Sequence, residues 1–177
     1  IQRNDTIIEP KQEGIRRCEI KRPSNTNVIA FAVKHDGFPS RNWYLASMLG
    51  SILAGGPDSV LYKKLVDTGL ASKVDMSVEP TREENIATLF VTLSKKATHA
   101  QIETIVMNTI KTLTSKEISS LYKKTLQHVI TDEVIGRETS LKVAMELTEY
   151  VSADAWEKFF DTEAILRDIS APEIVAY

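Results

Sequence analysis

The chain has 177 residues, with 22 Lys and Arg against 24 Asp and Glu, 42% hydrophobic residues and 26% charged ones. That is the length and composition of one globular domain with a core of its own, which excludes a disordered segment. A net charge of −2 gives no footprint for nucleic acid, no apolar run is long enough to cross a bilayer, and the single cysteine, Cys18, excludes an internal disulfide. The sequence opens at Ile1 with neither a Met nor a secretory signal, and is expected to be a piece of a longer protein.

Residues 1–14 are polar, carry Pro10 and Gly14, and read as a linker; the domain is expected to span 15–177. Residues 15–22 alternate weakly and predict an edge strand that pairs as a hairpin with the β-branched, aromatic run 27–35. After turn chemistry at 36–40, with Ser40 as N-cap, the spacing of Tyr44, Leu45, Met48, Leu49, Ile52 and Leu53 predicts a helix ended by Gly55 and Gly56. Pro57 then opens a second, short helix carrying Val60, Leu61 and Leu65 inward and stopping at Gly69. Val74, Met76 and Val78 alternate with polar residues as a half-buried strand, and the more continuously apolar 85–94 predicts a more central one.

Thr98 with Gln101 resembles a capping box at the head of a helix whose inner face is Ile102, Ile105, Val106, Thr109, Ile110 and Leu113. A further helix starts at Ser115. Another, after Gly136, is expected to carry Leu141, Ala144, Met145, Leu147 and Val151. A short amphipathic segment holds Trp156, Phe159 and Phe160, and a last helix opens at residues 170–173. The order predicts an α+β fold: an antiparallel or mixed sheet with helices packed on one face.

Residue chemistry gives no active site. The histidines, His35, His99 and His128, are far apart in sequence, and neither His99 nor His128 opens the H-E-x-x-H or H-x-x-E-H pattern of a helical zinc peptidase. Cys18 sits among charged residues of the predicted edge strand rather than at a helix N-terminus. No G-x-S-x-G elbow is present, and Gly55-Gly56 lacks the spacing of a phosphate loop. The chain is expected to hold no catalytic residue, no metal and no cofactor of its own.

One stretch, LGSILAGGPDSVLYKKLVDTGLAS, resembles the helix-loop-helix of the insulinase/pitrilysin family of zinc peptidases. There a long helix ends in L-x-x-G-G, a small-residue turn and an S-R-L-Y-x-x-L helix follow, and G-L-A leads into a strand. The matching residues are Leu53, Gly55, Gly56, Ser59, Leu61, Tyr62, Leu65, Gly69, Leu70 and Ala71. The segment before residue 22 resembles the linker and first strand of such domains, and 98–177 resembles their helical later part, so the likeness covers nearly the whole chain. It implies a domain that lacks its last strand.

The resemblance implies more. Family halves pair two similar α+β domains, one carrying zinc and one not, and the halves enclose a chamber for unfolded peptides. This chain is similar to a metal-free domain. Its implied role is catalytically silent chamber wall in a zinc-dependent metallopeptidase, with zinc held by another domain of the same protein and peptide as substrate. Gly55, Gly56, Ser59, Leu61, Tyr62, Gly69, Leu70 and Ala71 are implied to be structural or chamber-lining. The chain departs from the pattern at Val60, where the family has Arg, and at Val66 and Ser72, where metal-free halves of active members carry a substrate-binding Arg and Tyr. Similar two-half members imply a bacterial periplasmic location. The alternative is a non-catalytic structural or assembly module of a peptidase-like protein; a third reading is a ligand-binding domain unrelated to peptidases.

Overall fold

The computed structural model describes residues 12–177. Three strands form one antiparallel sheet in the order β1 (Val28–His35), β3 (Asn85–Leu93), β2 (Ala71–Val78). The most continuously apolar run takes the central place, where Val91 pairs with Ile29 on one side and Val74 on the other. Ala87, Leu89, Val91 and Leu93 of β3 point to the core, while Ile86 and Phe90 stand on the open face.

Helix α1 (Arg41–Ala54) lies between the sheet and the later helices, so it is buried on two sides. Leu53 and Ala54 join Leu61, Leu65, Leu89 and Val91 in the core beneath the sheet, to which α2 (His99–Thr112) adds Ile102 and Val106. On its other side, Tyr44, Leu45, Met48 and Ile52 meet Ile118 and Ile130 of α3 (Ser115–Gly136), Leu166 of α5 (Lys158–Asp168) and Ile174 of α6 (Ala171–Ala176). Helix α4 (Ser140–Ser152) docks through a smaller aromatic cluster of Phe38, Tyr150 and Phe159. The fold is α+β, an antiparallel sheet with its helices on one side.

Helix starts follow local chemistry. Ser40 Oγ accepts from the Trp43 amide at 3.1 Å, and Thr98 Oγ1 from the Gln101 amide at 3.2 Å. Reciprocal capping boxes close at Thr114–Glu117 and Ser170–Glu173.

Four segments differ from the sequence expectation. Residues 15–22 form no strand: both faces carry charge, every side chain from 12 to 28 is exposed, and the segment runs past α2, where Arg17 pairs with Glu103. β1 pairs with β3 instead. Most of the predicted linker, residues 1–11, lies outside the described residues. The short helix after Pro57 becomes a π-helical turn over Tyr62–Val66.

The third difference is α4, which is rotated from its aliphatic stripe. Leu141, Met145 and Val151 are 71%, 64% and 56% exposed, and Ala144 is exposed too; of the five residues expected inside, only Leu147 packs inward. Val143 and Tyr150 complete the buried side, because the phase is set by the Tyr150 ring and its hydroxyl rather than by aliphatic area. Lastly, Phe159 is buried whereas Trp156 and Phe160 are exposed.

Candidate functional site

The connector from α1 to β2 holds the glycine-rich motif. Gly56 sits at φ +120°, a conformation that costs an L-side chain, and the Ser59 hydroxyl and amide both donate to its carbonyl, at 2.6 and 3.0 Å. This turn drives Leu61 and Leu65 completely into the core. The Asp67 amide bonds the Tyr62 carbonyl at 3.2 Å, the i to i+5 spacing of a π-turn, and the Gly69 and Leu70 amides close its end on the Val66 and Leu65 carbonyls, each at 2.9 Å. Gly69, at φ +73°, reverses the chain, and buried Ala71 starts β2. Tyr62 and Leu70 are half-buried, and Gly55 ends α1 with its amide on the Ser51 carbonyl at 2.9 Å. The structure thus brings these residues together as one connector. Val66 is half-buried against the sheet core and Ser72 is exposed, its hydroxyl donating to the Thr92 carbonyl at 3.3 Å.

The histidines stay apart. His35, buried at the end of β1, donates through Nδ1 to the Asp36 carbonyl at 2.7 Å; His99 is the exposed first residue of α2; His128 of α3 borders a cavity of about 200 Å³ beside Asp58, Lys124 and Asp132. Among the described residues no three His, Cys, Asp or Glu side chains come together as metal ligands. These residues do not fit a zinc centre. No described helix is long and apolar enough to cross a membrane.

A second polar site was not foreseen in the sequence. Arg137, at the C-terminus of α3, reaches across to α4 and α5. Its Nη2 donates to Glu133 Oε1 and Glu146 Oε1, each at 2.6 Å, and lies 3.0 Å from the Phe159 carbonyl and 3.2 Å from Thr162 Oγ1; Nε donates to Glu146 Oε2 at 3.1 Å. The guanidinium also stacks 4.0 Å from the Phe159 ring centroid. Beside it Tyr150 links Thr162, at 2.7 Å, to Tyr44 of α1, at 3.0 Å. Burial raises both tyrosines above the ordinary phenol range, so both are neutral donors at physiological pH. A cavity of about 370 Å³, walled by Phe38, Trp43, Tyr44 and Tyr150, opens onto Glu133, Glu146 and Glu149. Only the Glu133–Arg137 spacing of four is a sequence signal for this site. The partners at 9, 22 and 25 residues carry none.

A family model for the peptidase M16 inactive domain matches residues 2–122. A search of curated proteins returns no significant match. Among solved structures, a protease from Helicobacter pylori has a TM-score of 0.77 at 18% identity, covering 88% of this chain and 38% of that one. The inactive peptidase domain of a Bordetella parapertussis protein assigned as a zinc protease has a TM-score of 0.69 at 19% identity, covering 87% of this chain and 83% of that one. The periplasmic protease PqqL from Escherichia coli has a TM-score of 0.59 at 15% identity, covering 88% and 18%. Matched over most of its length and sharing this fold, the chain belongs to the M16 peptidases, the insulinase/pitrilysin family, in the form of their inactive domain.

Proposed function

We propose that the chain is a catalytically silent domain of a zinc-dependent metallopeptidase acting on peptides or unfolded protein, and that it forms part of the substrate chamber wall beside a zinc-carrying domain of the same protein. The match to an inactive domain carries the reading. Residues 15–177 then make up most of one such domain, entered by a linker over 1–14. The motif from Gly55 to Ala71 serves as its structural connector. The open sheet face supports a wall role: Val28, Ile86 and Phe90 are 45%, 48% and 44% exposed, and β1 is an edge strand among the described residues, the kind of surface that can take an extended peptide. A bacterial periplasmic location rests on the PqqL likeness.

The test is made in the full-length parent. Phe90→Glu should raise KM for an unfolded substrate while leaving bound zinc and kcat unchanged; an unchanged KM overturns the wall. Zinc-dependent peptide hydrolysis by this chain alone would overturn the silent role.

A further inference from the structure

The Arg137 junction has more acceptors than donors. A guanidinium Nη carries two hydrogens, yet Nη2 faces four oxygens within 3.2 Å: Glu133, Glu146, the Phe159 carbonyl and Thr162. The two carboxylates reach that nitrogen from different helices, both at 2.6 Å, which places them within about 5 Å of each other by simple geometry. Their side chains are only 24% and 23% exposed, and Arg137 only 25%.

Among the described residues no second cation pairs with either carboxylate. The groups facing the junction are Tyr44 from α1, Glu79 from the β2–β3 connection, Glu146, Glu149 and Tyr150 from α4, and Thr162 from α5. Two like charges this close in a half-buried site favour holding one proton between them. We propose that this junction is a pH-responsive latch, in which Glu133 holds a proton against Glu146 over Arg137 and loss of that proton as pH rises loosens α4 from α3 and α5.

The electrostatics agree in direction. Burial pushes the Glu133 carboxyl up to about 7, helped by a hydrogen bond to Glu146 and by its charge, with Arg137 opposing. An unfolded glutamate titrates near ~4.3. Between that value and about 7 the folded chain keeps a proton that the unfolded chain has released, so stability is highest below this window and falls as pH rises through it. The neighbouring cavity gives water a path to the proton.

The experiment is urea unfolding of the chain from pH 5 to 8, for wild type and for Glu133→Gln, whose amide can donate to Glu146 as the protonated acid does and cannot titrate. The wild-type unfolding constant should rise roughly tenfold across this range, a figure discounted for the remaining solvent exposure. Glu133→Gln should lose most of that dependence. An equal pH slope in the two proteins overturns the latch. Hydrogen exchange on wild type tests the same point without substitution. Protection of α4 relative to β3, corrected for intrinsic rates, should fall between pH 5.5 and 8, and constant protection overturns the proposal.

Discussion

The Tyr44 hydroxyl on α1 lies 3.0 Å from that of Tyr150 on α4, and the pair is buried. Through it the helix that carries the sheet's core is tied to a helix that never touches the sheet cluster. Tyr150 is the middle of the relay, bonded to Thr162 as well; Thr162 keeps further bonds to the Lys158 and Phe159 carbonyls. Tyr150→Phe therefore takes this partner from the buried Tyr44 hydroxyl and should cost about 1–3 kcal/mol. Tyr44→Phe leaves Tyr150 bonded to Thr162 and should cost less, about 1 kcal/mol. Urea midpoints of the two variants check the order; a costlier Tyr44→Phe would overturn it.

The connector offers a test of the motif's structural side. Leu61 is fully buried between α1, the π-turn and the sheet, so Leu61→Ala should destabilise by about 2–5 kcal/mol. The same substitution at Val60, which is half-buried and packs toward the helical cluster, should cost clearly less. Thermal unfolding of both variants measures the difference.

Acid stability should depend on α6. Glu173 Oε1 accepts from Arg41 Nη2 at 2.7 Å and Nε at 3.2 Å, while Oε2 accepts from the Ser170 hydroxyl at 2.7 Å and amide at 2.9 Å. Arg41 first, then Ser170, holds the carboxyl at about 2. Its folded value lies below the unfolded ~4.3, so its contribution is complete above ~4.3 and is lost as pH falls toward 2. The direction is opposite to that of Glu133. Glu173→Gln should flatten the fall in Tm between pH 4 and 2, and parallel acid limbs would refute the assignment.

What the sequence discloses here divides along locality. The alternation in β2, the capping residues Ser40 and Thr98, and the inner face of α2 at Ile102 and Val106 all depend on neighbours within a few residues, so periodicity and cap chemistry reveal them. The strand expected at 15–22 failed because alternation without an apolar face gives nothing to bury. The two-sided burial of α1 was half visible: its apolar stripe is plain, but its second contact depends on where α3, α5 and α6 come to rest. The Arg137 junction was invisible, since its partners Glu146, Phe159 and Thr162 share no period with it.

Helix α4 turns that lesson into a measurement. Its aliphatic pattern places Leu141, Met145 and Val151 in the core, whereas the fold turns Val143, Leu147 and Tyr150 inward and leaves the former in water. The orientation follows from polar anchoring: a rotation that buried Leu141 would pull Glu146 from Arg137 and Tyr150 from Thr162, stranding groups that each cost about 1–3 kcal/mol when buried unpaired. Exposed Leu and Met side chains gain nothing comparable by burial elsewhere once those bonds are made. Leu141→Glu combined with Met145→Lys should therefore change the stability of the chain by no more than about 0.5 kcal/mol, while Leu147→Ala should cost about 1–2 kcal/mol. Urea unfolding distinguishes the two arrangements directly, because a core position cannot accept a charge pair at that cost; a loss of several kcal/mol in the double variant would mean that the aliphatic stripe, and not the Tyr150 relay, sets the phase of α4.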